Sequence, residues 1–71
     1  MKNAVECDQI KYRGFDLIIY QDASGYYWGE AHKNIDRNDM DKSRAFSIKE
    51  KEDPDDVESI LMDGVDRMSR L

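Results

Sequence analysis

Apolar residues concentrate in residues 15–20 and again in residues 26–31, and a cluster of turn-forming residues separates the two runs. β-branched and aromatic side chains dominate both runs, which is typical of strands. The cluster Asp22-Ala23-Ser24-Gly25 predicts a three-residue loop in which Gly25 adopts a left-handed backbone conformation. The pattern therefore predicts one β-hairpin, with Asp22 facing Tyr26 at its end.

The hairpin has two unequal faces, because successive residues of a strand point to opposite sides of the sheet. One face, the core face, carries mostly apolar or small side chains: Phe15, Leu17, Ile19, Tyr27, Gly29 and Ala31. The other face, the open face, mixes aromatic and charged side chains: Asp16, Ile18, Tyr20, Trp28, Glu30 and His32. We expect the core face to lie against another element and the open face to be partly solvated.

The rest of the chain predicts a third strand and one helix. Residues 1–12 alternate weakly and fit either a short edge strand or a loosely ordered arm, and residues 33–44 form a polar surface loop. Residues 45–49 alternate as a third strand. Asp53 is a good N-cap with Pro54 at the first helical position. The helical stripe that should lie on the sheet consists of Val57, Ile60, Leu61, Gly64, Val65 and Met68.

These elements predict an α+β fold in which a small, three-stranded, mainly antiparallel sheet carries one C-terminal helix on one face (β-β-β-α). The N-terminal segment is a possible additional edge strand. A chain of 71 residues is one small domain spanning residues 1–71, with a small core. Gly64 lowers helix propensity by about 1 kcal/mol relative to alanine. We expect close packing of this glycine against Gly29 or Ala31 to compensate.

Charge and cysteine content narrow the class of protein. The 16 acidic residues outnumber the 11 basic ones, which gives a net charge of -5 and disfavours direct nucleic-acid binding through many phosphate contacts. The single cysteine, Cys7, cannot form an internal disulfide, and no apolar run reaches the roughly 18 residues of a membrane span or resembles a signal peptide. We expect a cytoplasmic protein.

No residue constellation in the sequence predicts catalysis, a cofactor or a metal site. His32 is the only histidine, so a zinc site with two histidines cannot form, and Cys7 has no strongly basic surroundings. Residues 39–50 carry oxygen side chains at several positions of a calcium loop, but Arg44 occupies the sixth position, where the turn needs glycine. We expect a protein that is not an enzyme.

The open face provides the sharpest functional signal. Large aromatic side chains on a face turned away from the helix leave an apolar patch, and tryptophan and tyrosine are favoured anchors at interfaces. The predicted contact residues are Ile18, Tyr20, Tyr26, Trp28, Glu30 and His32. A protein partner, a second copy of the chain in a homodimer, or the N-terminal arm could each cover them. The sequence thus predicts a small acidic interaction or regulatory module.

An acidic cluster surrounds the start of the helix and offers an alternative function. It consists of Glu50, Glu52, Asp53, Asp55, Asp56 and Glu58. Such a cluster could occupy a nucleic-acid-binding groove as a mimic, which would make the protein an acidic inhibitor. Capping of the helix and solubility explain the same residues without a partner.

The order of hairpin, third strand and helix over residues 15–71, with an acidic turn ending in Gly25-Tyr26, resembles the small antitoxin domain of the HicB type. The resemblance implies an antitoxin-like regulator from a mobile element as a further alternative. In that family the stretch after the second strand is typically rich in proline and glycine and leads into a helix containing Glu-Ala. Residues 33–44 contain neither proline nor glycine, so no residue role is transferred.

Overall fold

The structure, a computed structural model, describes residues 4–70. Its elements in chain order are β1 (Val5–Tyr12), β2 (Phe15–Gln21), β3 (Tyr27–Lys33), α1 (Met40–Ser43), β4 (Arg44–Lys51) and α2 (Pro54–Ser69). The strands form one antiparallel sheet in the order β1-β2-β3-β4, and α2 packs on one side of it. The predicted α+β class is confirmed, but the sheet has four strands and not three. Residues 1–3 of the predicted N-terminal arm lie outside the described residues.

In the described part of the N-terminal segment, β1 is an edge strand that pairs with β2 from Val5 to Tyr12. A two-residue turn joins them, with φ of 53° at Arg13 and 83° at Gly14, as a type I′ hairpin turn requires. The register shifts between Glu6 and Asp8, so Cys7 is an extra, bulged residue. This bulge explains why the apolar positions change phase between the two halves of the segment.

The central hairpin has the predicted register throughout, including Tyr20 opposite Trp28 and Leu17 opposite Ala31. Its loop closes through the Gly25 N–H, which donates to the Asp22 carbonyl (3.1 Å), and Gly25 has a φ of 90°. The Asp22 N–H donates to the Tyr26 carbonyl (2.9 Å). The predicted three-residue loop with a left-handed glycine is therefore confirmed.

The third predicted strand is longer than residues 45–49 because it begins at Arg44 and ends at Lys51. Two register shifts interrupt its pairing with β3. One leaves Ala45 as an extra residue, and the other sets Lys49 and Glu50 together opposite Trp28. Both edge strands of the sheet are therefore bulged, a device that discourages pairing with the edges of other sheets.

Helix α2 begins as predicted, since the Asp53 side chain accepts a hydrogen bond from the Asp55 N–H (2.9 Å). Its buried contact with the core face is narrower than the predicted stripe, because Ile60 and Met68 are about 40% exposed. The core consists of Phe15, Leu17, Ile19, Ala31, Val57, Leu61 and Val65. No helix within residues 4–70 is long and apolar enough to span a membrane.

Two glycines allow α2 to pack closely on the sheet, but the residues that they contact differ from the predicted ones. A Cβ atom on Gly29 would lie 2.7 Å from side-chain atoms of both Val57 and Leu61, so the strand must lack a side chain there. A Cβ atom on Gly64 would lie 2.5 Å from the Phe46 ring. The expectation that Gly64 packs against Gly29 or Ala31 is thus wrong, because the ring of Phe46 occupies that space.

Candidate binding site on the open face

Part of the open face is shielded from solvent, although α2 lies on the opposite side of the sheet. Ile18 and His32 are 0% exposed and Glu30 is 6% exposed. Tyr20 and Trp28 are half-buried. Two different coverings therefore shield the two faces of this small sheet.

The second covering is the segment 34–43, which we call the strap. Asn34 has a φ of 58°, a left-handed conformation that asparagine tolerates and that redirects the chain after β3. Arg37 then donates hydrogen bonds to Glu6 (2.9 Å) and to Gln9 (2.6 Å) on β1. Because Gln9 is the partner of Ile18 in the sheet, Arg37 bridges from the end of β3 to β1 on the open face.

The other end of the strap is fixed at His32. The short helix α1, which the sequence predicted as loop, is capped by Asp39, whose side chain accepts from the Lys42 N–H (3.2 Å). This turn brings the Ser43 hydroxyl within 2.8 Å of His32 Nδ1, and the same hydroxyl donates to the Met40 carbonyl (3.2 Å). The buried imidazole thus connects β3 to the strap.

Glu30 lies at the centre of the polar contacts on this face. One carboxylate oxygen is 3.0 Å from His32 Nε2 and accepts from the Tyr20 hydroxyl (3.3 Å), while the other accepts from Arg44 (3.0 Å). Burial of the phenol, reinforced by the adjacent Glu30 charge, raises the pKa of Tyr20 to about 12. Tyr20 is therefore a hydrogen-bond donor to Glu30 at neutral pH.

The arrangement of His32 and Glu30 is suited to holding the strap in position and not to proton transfer. Both ring nitrogens of His32 have partners and the ring has no contact with solvent. A general base must reach the proton that it removes from a substrate, directly or through one water molecule. The side chains of His32 and Glu30 instead fix the strap and Arg44 over the sheet.

The accessible part of the open face is an aromatic pair beside a groove. The rings of Tyr20 and Trp28 are stacked, with centroids 4.3 Å apart and planes 19° from parallel. Trp28 also lines a groove of about 660 Å³, together with Glu30, Arg44, Ser47 and Lys49. This volume lies within the range of ligand pockets, roughly 300 to 1,000 Å³. The bulge of β4 opposite Trp28 forms part of its wall.

The indole nitrogen of Trp28 has an unusual environment. Among the described residues it is the only buried side-chain nitrogen or oxygen atom that lacks a hydrogen-bond partner. A buried donor without an acceptor costs about 1 to 3 kcal/mol. The hydrogen-bonding capacity of the indole N–H is therefore unused within residues 4–70.

Of the remaining predicted site residues, which are Tyr26 and the acidic cluster, Glu50 alone lines this groove. Tyr26 lies at the hairpin turn and is 41% exposed. In the acidic cluster, Asp53 caps α2 and Glu50 lines the groove. The remaining members are Glu52, Asp55, Asp56 and Glu58, of which Glu58 is half-buried and the others are exposed.

Sequence reasoning missed the contributions of β4 and of the strap. The alternation of Phe46 and Ile48 against Ser47 and Lys49 was visible, and it puts the latter two on the open face once β4 is paired with β3. The contacts of Arg37 with β1 had no such signal, because 28 residues or more separate it from its partners.

Comparison of the chain with protein-family models, with curated proteins and with solved structures finds no match.

Proposed function

We propose that the protein is a non-enzymatic interaction module that binds a protein partner in the groove beside Trp28. The observation that carries this proposal is the stacked, half-buried Tyr20–Trp28 pair, of which Trp28 lines a groove of about 660 Å³. A rigid aromatic anchor beside a concave surface with a polar rim is the usual composition of an interface hot spot.

The strap defines which predicted residues contact the partner. Ile18 and His32 are fully buried within the chain, so they do not touch a partner while the strap is in place. Tyr20, Trp28 and Glu30 remain at or near the groove, and Arg44 and Lys49 extend its rim. The site is thus narrower than the whole open face.

The sheet edges are less suited to binding than the open face. An added strand needs a regular row of free N–H and C=O groups, and bulges break that row in β1 at Cys7 and in β4 at Ala45. The face offers the aromatic pair instead. Self-association through the same groove is the alternative that the experiment must distinguish from binding of a protein partner.

The test blocks the groove without removing any of its contacts. Ser47 is exposed and pairs with Glu30 across the strands, so Ser47→Arg fills the groove with a long side chain while the sheet is retained. Ser59→Arg, on the exposed side of α2, is the matched control. Capture of interacting proteins and sedimentation are compared for both variants and the unmodified chain.

We expect Ser47→Arg to abolish capture of a defined partner while Ser59→Arg retains it, with a monomeric sedimentation coefficient in every case. If the unmodified chain sediments as a dimer that Ser47→Arg dissociates, the groove binds a second copy and the partner proposal is wrong. If both variants behave as the unmodified chain does, the groove is not the interface.

A further inference from the structure

The hydrogen bonds of His32 form a chain that leads from β3 into the strap. The Ser43 hydroxyl has a single proton, and it donates this proton to the Met40 carbonyl (3.2 Å). Toward His32 Nδ1, which is 2.8 Å away, the same oxygen then acts only as an acceptor. Nδ1 must therefore carry a proton for both hydrogen bonds of Ser43 to form.

The second ring nitrogen of His32 also faces an acceptor. Nε2 lies 3.0 Å from a carboxylate oxygen of Glu30, and the two oxygens of this group accept from Tyr20 and Arg44 as well. A carboxylate has no proton to donate, so Nε2 must be the donor. All these bonds form together only when both ring nitrogens carry protons and the ring is a positively charged imidazolium. A neutral ring must give up one of them.

Charged side chains face the ring from each element around it. Arg44 of β4 is a cross-strand neighbour of the ring and forms ion pairs with Glu30 and with Asp41 of α1, so one negative charge remains for an imidazolium to balance. Asp16 of β2 is the other cross-strand neighbour, and it lies opposite Lys11 of β1. A buried charge is tolerated when it is paired and hydrogen-bonded in this way.

From these contacts we infer that the strap is a pH-sensitive switch, which is closed when the ring of His32 carries both protons and opens when it loses one. This inference goes beyond the proposed function and does not depend on a partner in the groove. The strap is otherwise weakly held at this end, because none of the residues Met40–Ser43 is buried and the Asp41 side chain is 82% exposed. Since the closed strap takes up a proton that the open strap releases, raising the pH favours opening.

The single histidine gives a direct measurement. His32 is the only histidine in the chain, so the untagged protein shows one pair of imidazole nitrogen signals in a ¹⁵N–¹H correlation spectrum. Their ¹⁵N shifts report whether each nitrogen carries a proton. Closure of the strap is followed by hydrogen exchange of the Lys42 amide, which donates to the Asp39 carbonyl (3.2 Å). Protection is expressed relative to an unstructured chain at the same pH, and the Leu17 amide in the inner strand β2 is the reference.

We expect both ring nitrogens to carry protons while the Lys42 amide is protected. As the pH rises, loss of one ring proton and loss of protection at Lys42 should follow the same curve. Protection at Lys42 should fall roughly 10-fold, because a hydrogen bond to a charged group is lost, while Leu17 stays protected. A ring with only one proton while Lys42 is protected, unchanged protection after the ring loses a proton, or a ring that keeps both protons until Leu17 also exchanges would each overturn the inference.

Two variants assign the pH dependence to the contact between the ring and the strap. Ser43→Ala removes the acceptor of Nδ1, so protection at Lys42 should be lower while the ring carries both protons and should vary little with pH. Ser59→Ala, on the exposed side of α2, is the matched control and should behave as the unmodified chain does. If Ser43→Ala keeps the full pH dependence at Lys42 while Leu17 remains protected, the ring does not act through Ser43 and the inference is wrong.

Discussion

Leu17 and Ile18 are neighbours in β2, point to opposite faces of the sheet, and are both 0% exposed. Leu17 is covered on the core face, where α2 supplies Val57, Leu61 and Val65. Ile18 is buried on the open face, which the strap crosses through hydrogen bonds and ion pairs. Two adjacent residues thus reach the same burial by different means. Apolar contact tolerates small displacements because it has no direction, whereas the strap depends on a few bonds with defined geometry.

The largest effect should come from truncating these two neighbours. Leu17→Ala removes buried methyl groups from the core face and should lower the free energy of unfolding by about 3 kcal/mol, within the usual range for such changes. If the strap holds Ile18 as firmly as α2 holds Leu17, Ile18→Ala should cost a similar amount. Urea denaturation of both variants measures the comparison.

A loss of less than about 1 kcal/mol for Ile18→Ala would contradict a firmly closed open face, because the truncation would then expose a site that water already reaches. Val5→Ala, at a residue 66% exposed on β1, is the control for a truncated β-branched residue without burial. It should leave the unfolding midpoint nearly unchanged.

A smaller effect should follow from releasing the strap at its far end. Arg37→Ala removes both hydrogen bonds to β1, and because these groups are exposed, we expect a smaller loss of stability than for Ile18→Ala. Amide hydrogen exchange should nevertheless become faster in the strap and in β1. Arg67→Ala is the matched control, since the ion pair of Arg67 with Asp63 lies within α2. Similar exchange in both variants would show that the strap does not depend on Arg37.

The smallest effect at neutral pH should come from Tyr20→Phe, which removes one long hydrogen bond of 3.3 Å to Glu30. The stability of Tyr20→Phe should differ from that of the unmodified chain at alkaline pH. The pKa of Tyr20 is raised from 10.0 to about 12, so the folded state holds this proton more tightly than the unfolded state. The resulting stability is complete below pH 10 and is lost as pH rises from 10 to 12.

Tyr20→Phe should therefore show a shallower alkaline decline of stability than the unmodified chain, measured by thermal unfolding between pH 9 and pH 12. The conservative change Tyr26→Phe, at the exposed hairpin turn, is the matched control and should retain the full decline. Parallel curves for Tyr20→Phe and the unmodified chain would mean that Tyr20 does not donate to a buried carboxylate.

The sequence predicted the parts of the fold that depend on short-range chemistry. Gly25 fixed the loop of the central hairpin, and with it the register, while Asp53 and Pro54 marked the start of α2. The edge strand β1 was left open because the bulge at Cys7 interrupts its alternation. The burial of Ile18 and His32 could not be predicted, since the segment that crosses their face of the sheet is polar and has no periodic pattern.

The candidate site, like the fold, was predictable only where it depends on short-range pattern. Tyr20 and Trp28 follow from strand alternation and hairpin register, and the structure places them together as a stacked pair. Arg44, Ser47 and Lys49 required the pairing of β4 with β3, which two bulges shift out of simple alternation. The lining of the groove therefore becomes visible only when the strands are assembled.

The bond from Arg37 to β1 also changes how the sheet comes apart. In a simple meander the two outer strands touch only their inner neighbours, so each can peel away alone. Here Arg37 belongs to the connection that leads directly into β4, yet it donates hydrogen bonds to β1 at the opposite edge of the sheet. The strap therefore links the two outer strands, so separation of β1 from the sheet also requires breaking the Arg37 contacts with the connection that leads into β4.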